Sequence, residues 1–149
     1  MSDNFLEELT ADFIEQVTYS LDECEEAFLN LENSPEPGQE LTQIFRLAHS
    51  IKGGSAVLGL DDLSHFAHIV EDLLSILRTY PQAVDSDVVS ALLVAVDKFK
   101  ERIEHLRHGE MNHPWDTHEI SEKVLAKTKT LEATYGIQQN DASPQSPPP

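Results

Sequence analysis

A chain of 149 residues with 40% hydrophobic content is the size of one ordinary domain. Its 10 Lys and Arg against 27 Asp and Glu leave a formal charge of −17, which argues against nucleic acid or an anionic membrane surface as a partner. The lone Cys24 cannot close an intramolecular disulfide, and Met1–Leu9 is too acidic for a secretory signal. No run reaches the roughly 20 apolar residues of a spanning helix, so a cytoplasmic domain is expected.

Apolar residues recur at helical spacing almost throughout, and no window alternates as a strand would. A first helix is predicted from about Asp3 to Leu31, with Leu6, Leu9, Phe13, Val17, Leu21, Cys24, Phe28 and Leu31 in steps of three and four. Asn33-Ser-Pro-Glu-Pro-Gly38 ends it, because proline cannot continue the backbone ladder. A second helix, about Gln39–Val57, carries Leu41, Ile44, Phe45, Ala48 and Ile51. After Leu58-Gly59-Leu60, Asp61 is placed to cap a third helix that ends near Thr79 and buries Leu63, Phe66, Ala67, Val70, Leu73, Leu74 and Leu77.

A fourth helix is predicted over about Asp85–His108, with Gly109 as its stop, and a weaker fifth over Thr117–Tyr135 with Ile120, Val124, Leu125, Thr128 and Leu131. Four of the eight prolines fall in the last six residues, so 1–135 reads as the domain and 136–149 as a disordered tail or linker. The lengths and short links predict an all-α fold, an antiparallel four-helix bundle with an additional C-terminal fifth helix.

The segment Ala48-His-Ser-Ile-Lys-Gly-Gly-Ser-Ala56 departs from what a helix needs in order to fold. Gly53 and Gly54 each cost about 1 kcal/mol relative to alanine inside a helix. Either the helix ends early there, or side chains are absent so that another surface can approach. His49 and Lys52 lie three apart, about 60° around the helix, and so share a face. If the second and third helices fold back about Leu60, His49 comes level with Glu71 and Lys52 with His68, within a slip of a residue or two. Both His49 and Glu71 sit at the edge of an apolar stripe, half covered yet reachable. A carboxylate accepting the Nδ1–H of an imidazole fixes the tautomer and leaves Nε2 unprotonated and outward, a nucleophile for a phosphoryl group. Lys52 would offset the phosphate charge.

Phe45-Arg-Leu-Ala-His-Ser-Ile-Lys-Gly-Gly-Ser-Ala-Val-Leu-Gly-Leu60, followed by His68-Ile-Val-Glu-Asp-Leu-Leu74, resembles the histidine phosphotransfer (HPt) domain, most closely that at the N-terminus of CheA-type chemotaxis kinases. The resemblance implies that His49 is phosphorylated on Nε2 and that Glu71 hydrogen-bonds its Nδ1. It further implies that Lys52 and His68 complete the polar network and that Gly53 leaves room for the docking partner. Leu58 stands where an aromatic often precedes the turn glycine. In that family the domain is usually monomeric and binds no cofactor. A kinase ATP-binding domain supplies the γ-phosphoryl, and a CheY-like response-regulator receiver domain takes it onto an aspartate, with ATP and Mg²⁺ used by those partner domains. The chain itself has no Gly-rich phosphate loop, so it reads as a phosphoryl carrier and as the phosphoacceptor module of a longer kinase rather than an ATP-binding enzyme.

Two other classes compete. A metal-binding bundle could use His65-x-x-His68, His68-x-x-Glu71 and His105-x-x-His108, with His113 and His118 following. Di-metal bundles, however, want Glu-x-x-His from two helices plus two further inward glutamates. A helical interaction adaptor would leave Gly53-Gly54 and the levelled His–Glu pair unexplained. Asp22-Glu-Cys-Glu-Glu26 reads as a solvated face, Cys24 as a packed thiol, and Trp115 as the residue that pins the fifth helix to the bundle.

Overall fold

The computed structural model describes residues 3–137 and contains five α-helices and, among the described residues, no strand. They are α1 (Asp3–Asn30), α2 (Gly38–Val57), α3 (Asp61–Thr79), α4 (Ser86–Arg107) and α5 (His118–Tyr135), with a single 3-10 turn at Pro81–Ala83. Helices α1 to α4 form the antiparallel bundle, closed by the packing of α1 on α4, and α5 lies on α3 and α4. The outer face of α2 is therefore left open. Most of the expected tail, 138–149, lies outside the described residues.

The core follows the predicted stripes, with two departures. On α1 the buried face begins at Phe13, and Leu6 is exposed. On α5, Ile120, Val124, Thr128 and Leu131 are buried while Leu125 points to solvent. Cys24 is packed as expected. Its thiol donates to the Gln43 carbonyl at 3.6 Å, and burial, helped by the nearby Glu23 charge, pushes its pKa up to about 11.

The α2–α3 turn sets the register of the site. Gly59 adopts φ +74°, a left-handed backbone that glycine takes without steric cost. The Leu60 amide then bonds back to the Ser55 carbonyl at 2.8 Å, and Ser64 of α3 donates to the Lys52 carbonyl at 3.2 Å. Asp61 does not cap α3. It is the first helical residue, Leu60 holds the cap position without a side-chain bond, and Asp61 and Asp62 instead place negative charge against the helix N-terminus. At α4 the cap is Asp85, which accepts from the Val88 amide at 2.8 Å.

The α4–α5 loop is fastened from inside by Arg102, whose side chain is only 3% exposed. It donates to Asp62 at 3.3 Å and to the Met111 carbonyl at 2.8 Å, and its guanidinium lies 5.9 Å from the Trp115 ring. Trp115 meets Phe66 edge-on at 5.6 Å, so it anchors the entry to α5. At the far end Tyr80 and Tyr135 stack at 4.1 Å.

Candidate functional site

His49 and Glu71 meet across the α2–α3 hairpin, as the level count about Leu60 predicts. His49 Nδ1 lies 2.5 Å from Glu71 Oε2, and Lys52 Nζ donates to Glu71 Oε1 at 2.6 Å. Both carboxylate oxygens are thus engaged. The two partners do not share the half-covered setting expected of them: the His49 side chain is 63% exposed and that of Glu71 only 10%. Glu71 sits lower on the wall of α3, between the two helices, and the imidazole leans down onto it from outside.

That asymmetry decides the protonation of the ring. Burial by itself would push the Glu71 carboxyl up. Hydrogen bonds from Lys52 and His49, together with their charge, outweigh it and hold the group below the usual carboxylate range. Glu71 is therefore ionised at neutral pH and can only accept. The Nδ1 that faces it therefore carries a proton, and whenever the imidazole is neutral the free lone pair is on Nε2, at the exposed side of the ring.

Lys52 and His68 were expected to lie level. Instead the long Lys52 side chain bends toward the Glu71 charge, and His68 Nε2 faces Asp72 Oδ1 at 3.5 Å, one turn along its own helix. His68 borders the network rather than touching His49. Burial, with Glu71 adding to it, raises the Asp72 carboxyl against the lowering effect of His68 and Lys52. His68, Glu71 and Asp72 offer ligand atoms within 4.8 Å of one another and are the described residues that could hold a metal ion. An ion there would compete with His49 or Lys52 for a Glu71 oxygen. His65 and His108 are exposed, and His105 stacks on His113 at 3.9 Å.

The two glycines have different tasks. Helix α2 runs unbroken through them to Val57, so the early-ending alternative falls. A Cβ on Gly54 would stand 2.6 Å from two ring carbons of Phe13 on α1, so this glycine lets α1 pack closely. A Cβ on Gly53 would meet nothing within 4 Å, and the position is exposed one turn from His49. Opposite stability effects follow. Gly53→Ala should raise stability by about 0.5–1 kcal/mol through helix propensity alone. Gly54→Ala should lower it, since displacing a buried ring costs about 1–3 kcal/mol. Thermal melts of the two variants check this; a rise in Tm for both would remove the packing role of Gly54.

Phe45, predicted in the core stripe of the second helix, also has a place at the site. It is partly buried, stacks on His49 with centroids 6.0 Å apart, and carries the Arg78 guanidinium 4.3 Å above its ring. Its i−4 spacing from His49 was the available signal.

The chain is similar to known proteins along most of its length. The sequence matches the Hpt domain family over residues 8–127. It is 38% identical over 103 residues to the chemotaxis protein CheA of Treponema pallidum, covering 69% of this chain and 13% of that protein. It is 38% identical over 97 residues to CheA of Borreliella burgdorferi (65% and 11%), and 31% identical over 120 residues to the sensor histidine kinase CheAY of Helicobacter pylori (80% and 15%). The chain thus spans under a sixth of the length of these relatives. Among solved structures, the phosphorylated P1 domain of CheA3 in complex with CheY6 from R. sphaeroides is similar at a TM-score of 0.75 and 25% identity, covering 84% of this chain and 98% of that one. A five-helix bundle that presents a carboxylate-anchored histidine on its second helix, with these relatives and a family match over most of its length, belongs to the Hpt domain family.

Proposed function

We propose that this chain is a phosphoryl carrier in a chemotaxis-type phosphorelay, with His49 as the acceptor. The observation that carries the reading is the His49–Glu71 bond: an ionised, buried carboxylate fixes the Nδ1–H tautomer and leaves an exposed, unprotonated Nε2. Nε2 attacks the γ-phosphorus of ATP held by a separate kinase domain. The P–N bond forms, the bond to the bridging oxygen breaks, and its electron pair leaves with ADP. The imidazolium charge that develops is met by Glu71 through the Nδ1–H bond. In the return step an aspartate oxygen of a receiver domain attacks the phosphorus, and the P–N electron pair falls back to Nε2.

The roles divide accordingly. Glu71 orients the ring, Lys52 holds Glu71 and supplies positive charge beside the phosphoryl group, and Gly53 keeps the approach open. His68 borders the pair through Asp72. ATP and Mg²⁺ belong to the partner domains, and the use of ATP places the chain in the cytoplasm. A receiver as partner is supported by the R. sphaeroides P1 domain, which is phosphorylated and in complex with CheY6. No helix of the described residues is long and apolar enough to cross a membrane.

The test is incubation with Mg-ATP and a CheA-type kinase core. A label that is lost in acid and survives base, as a phosphoramidate does, is the expected result. A wild-type chain that takes no label from several cores, and none from a small-molecule phosphoryl donor, returns the reading to an interaction adaptor.

A further inference from the structure

Phe45 lies one helical turn before His49, so the two side chains rise from the same side of α2. Their rings are parallel to within 12° at a centroid distance of 6.0 Å, an offset stack. Phe45 is packed against the bundle core, which makes it a fixed surface rather than a mobile neighbour. Its outer partner is Arg78 of α3, whose guanidinium carbon stands 4.3 Å from the ring centroid. In a chain with 27 acidic residues, Arg78 makes no ion pair among the described residues and gives its guanidinium to this ring.

The hydrogen bond to Glu71 fixes one edge of the imidazole. One such bond still tolerates bending out of the ring plane, so by itself it leaves the tilt of Nε2 loosely set. The flat face of Phe45 restrains that tilt. The reacting histidine is then held at two places: at Nδ1 by α3, and across its face by a residue of its own helix. In-line phosphoryl transfer depends on alignment of attacking atom, phosphorus and leaving oxygen, and therefore on such tilt.

We propose that Phe45 is a positioning residue for His49, stacking on the imidazole to aim Nε2, and that Arg78 holds the Phe45 ring in place. This rests on the phosphoryl-carrier reading above. It adds to that reading a second restraint, independent of Glu71, and gives Arg78 a task.

The test has a spectroscopic arm and a kinetic arm, both on the full chain. In NMR spectra the His49 ring protons should carry a ring-current shift that Phe45→Leu removes and Phe45→Tyr keeps, while amide shifts distant from the site stay native. In labelling by a kinase core with Mg-ATP, Phe45→Leu should be slower by about three- to tenfold, the order that a stack of this kind supports. Phe45→Tyr should label at near the wild-type rate. Arg78→Ala, at an exposed position, is the second variant should Phe45→Leu not fold; it should be about twofold slower, with Arg78→Lys restoring most of the loss. Wild-type labelling matched by both Phe45→Leu and Arg78→Ala would overturn the positioning role alone. His49 ring shifts that ignore Phe45→Leu would overturn it as well. A wild-type chain that takes no label overturns the carrier reading, and the positioning role with it.

Discussion

Glutamine in place of His49 is expected to abolish phosphorylation while leaving the bundle as stable as before. The chemical half of that expectation follows from the nucleophile: a carboxamide nitrogen has its lone pair delocalised and forms no comparable bond to phosphorus. The structural half follows from exposure. At 63% exposed, the His49 side chain contributes little to the core, and substitutions at such surface positions usually fall within about 0.5 kcal/mol. Glu71 is not left as an uncompensated buried charge either, because Lys52 remains bonded to its other oxygen. Label counting after incubation with Mg-ATP and a kinase core, alongside a thermal melt, separates the two halves. Label on His49→Gln at the wild-type level would assign the phosphoryl group to another of the seven histidines, with His68 the first to mutate.

Most of the fold was legible because each helix advertises itself twice, by an apolar stripe and by a stop. Pro35, Pro37, Gly59 and Gly109 fall between elements, where the backbone needs them. The pairing of His49 with Glu71 was legible for a simpler reason: a tight hairpin converts sequence distance from the turn into height along both helices. What the count could not supply was lateral position. Whether a residue at the edge of a stripe is exposed, like His49, or buried, like Glu71, depends on which neighbouring helix covers that edge. The level pairing of Lys52 with His68 failed for a related reason. Backbone height does not fix where a four-carbon side chain ends when a buried carboxylate lies within reach. Gly54 hid its task entirely, since the ring that fills the space above it belongs to Phe13, forty-one residues earlier. Arg102 was equally silent, its partners Asp62 and Met111 being joined to it only by the folded loop.

Alanine in place of Glu71 is expected to slow phosphorylation by about a hundredfold, the upper range for losing a partner that orients a reactive histidine. Three things go at once: the acceptor that fixes the Nδ1–H tautomer, the anion that answers the developing imidazolium, and the anchor of Lys52. Glutamine at 71 separates them. Its carbonyl can still accept from Nδ1, so the tautomer survives while the charge is lost, and its rate should fall between wild type and alanine. Proton linkage gives an independent check. Because the folded pKa of Glu71 lies below its ordinary value of 4.5, its contribution to stability is present above that value and is lost as pH falls through the folded pKa. The stability gap between wild type and Glu71→Gln, from urea melts at about pH 7 and about pH 4, should therefore narrow toward acid. Wild-type labelling by Glu71→Ala would overturn the tautomer argument. A gap that does not change with pH would instead show that the lowered pKa of Glu71 is wrong.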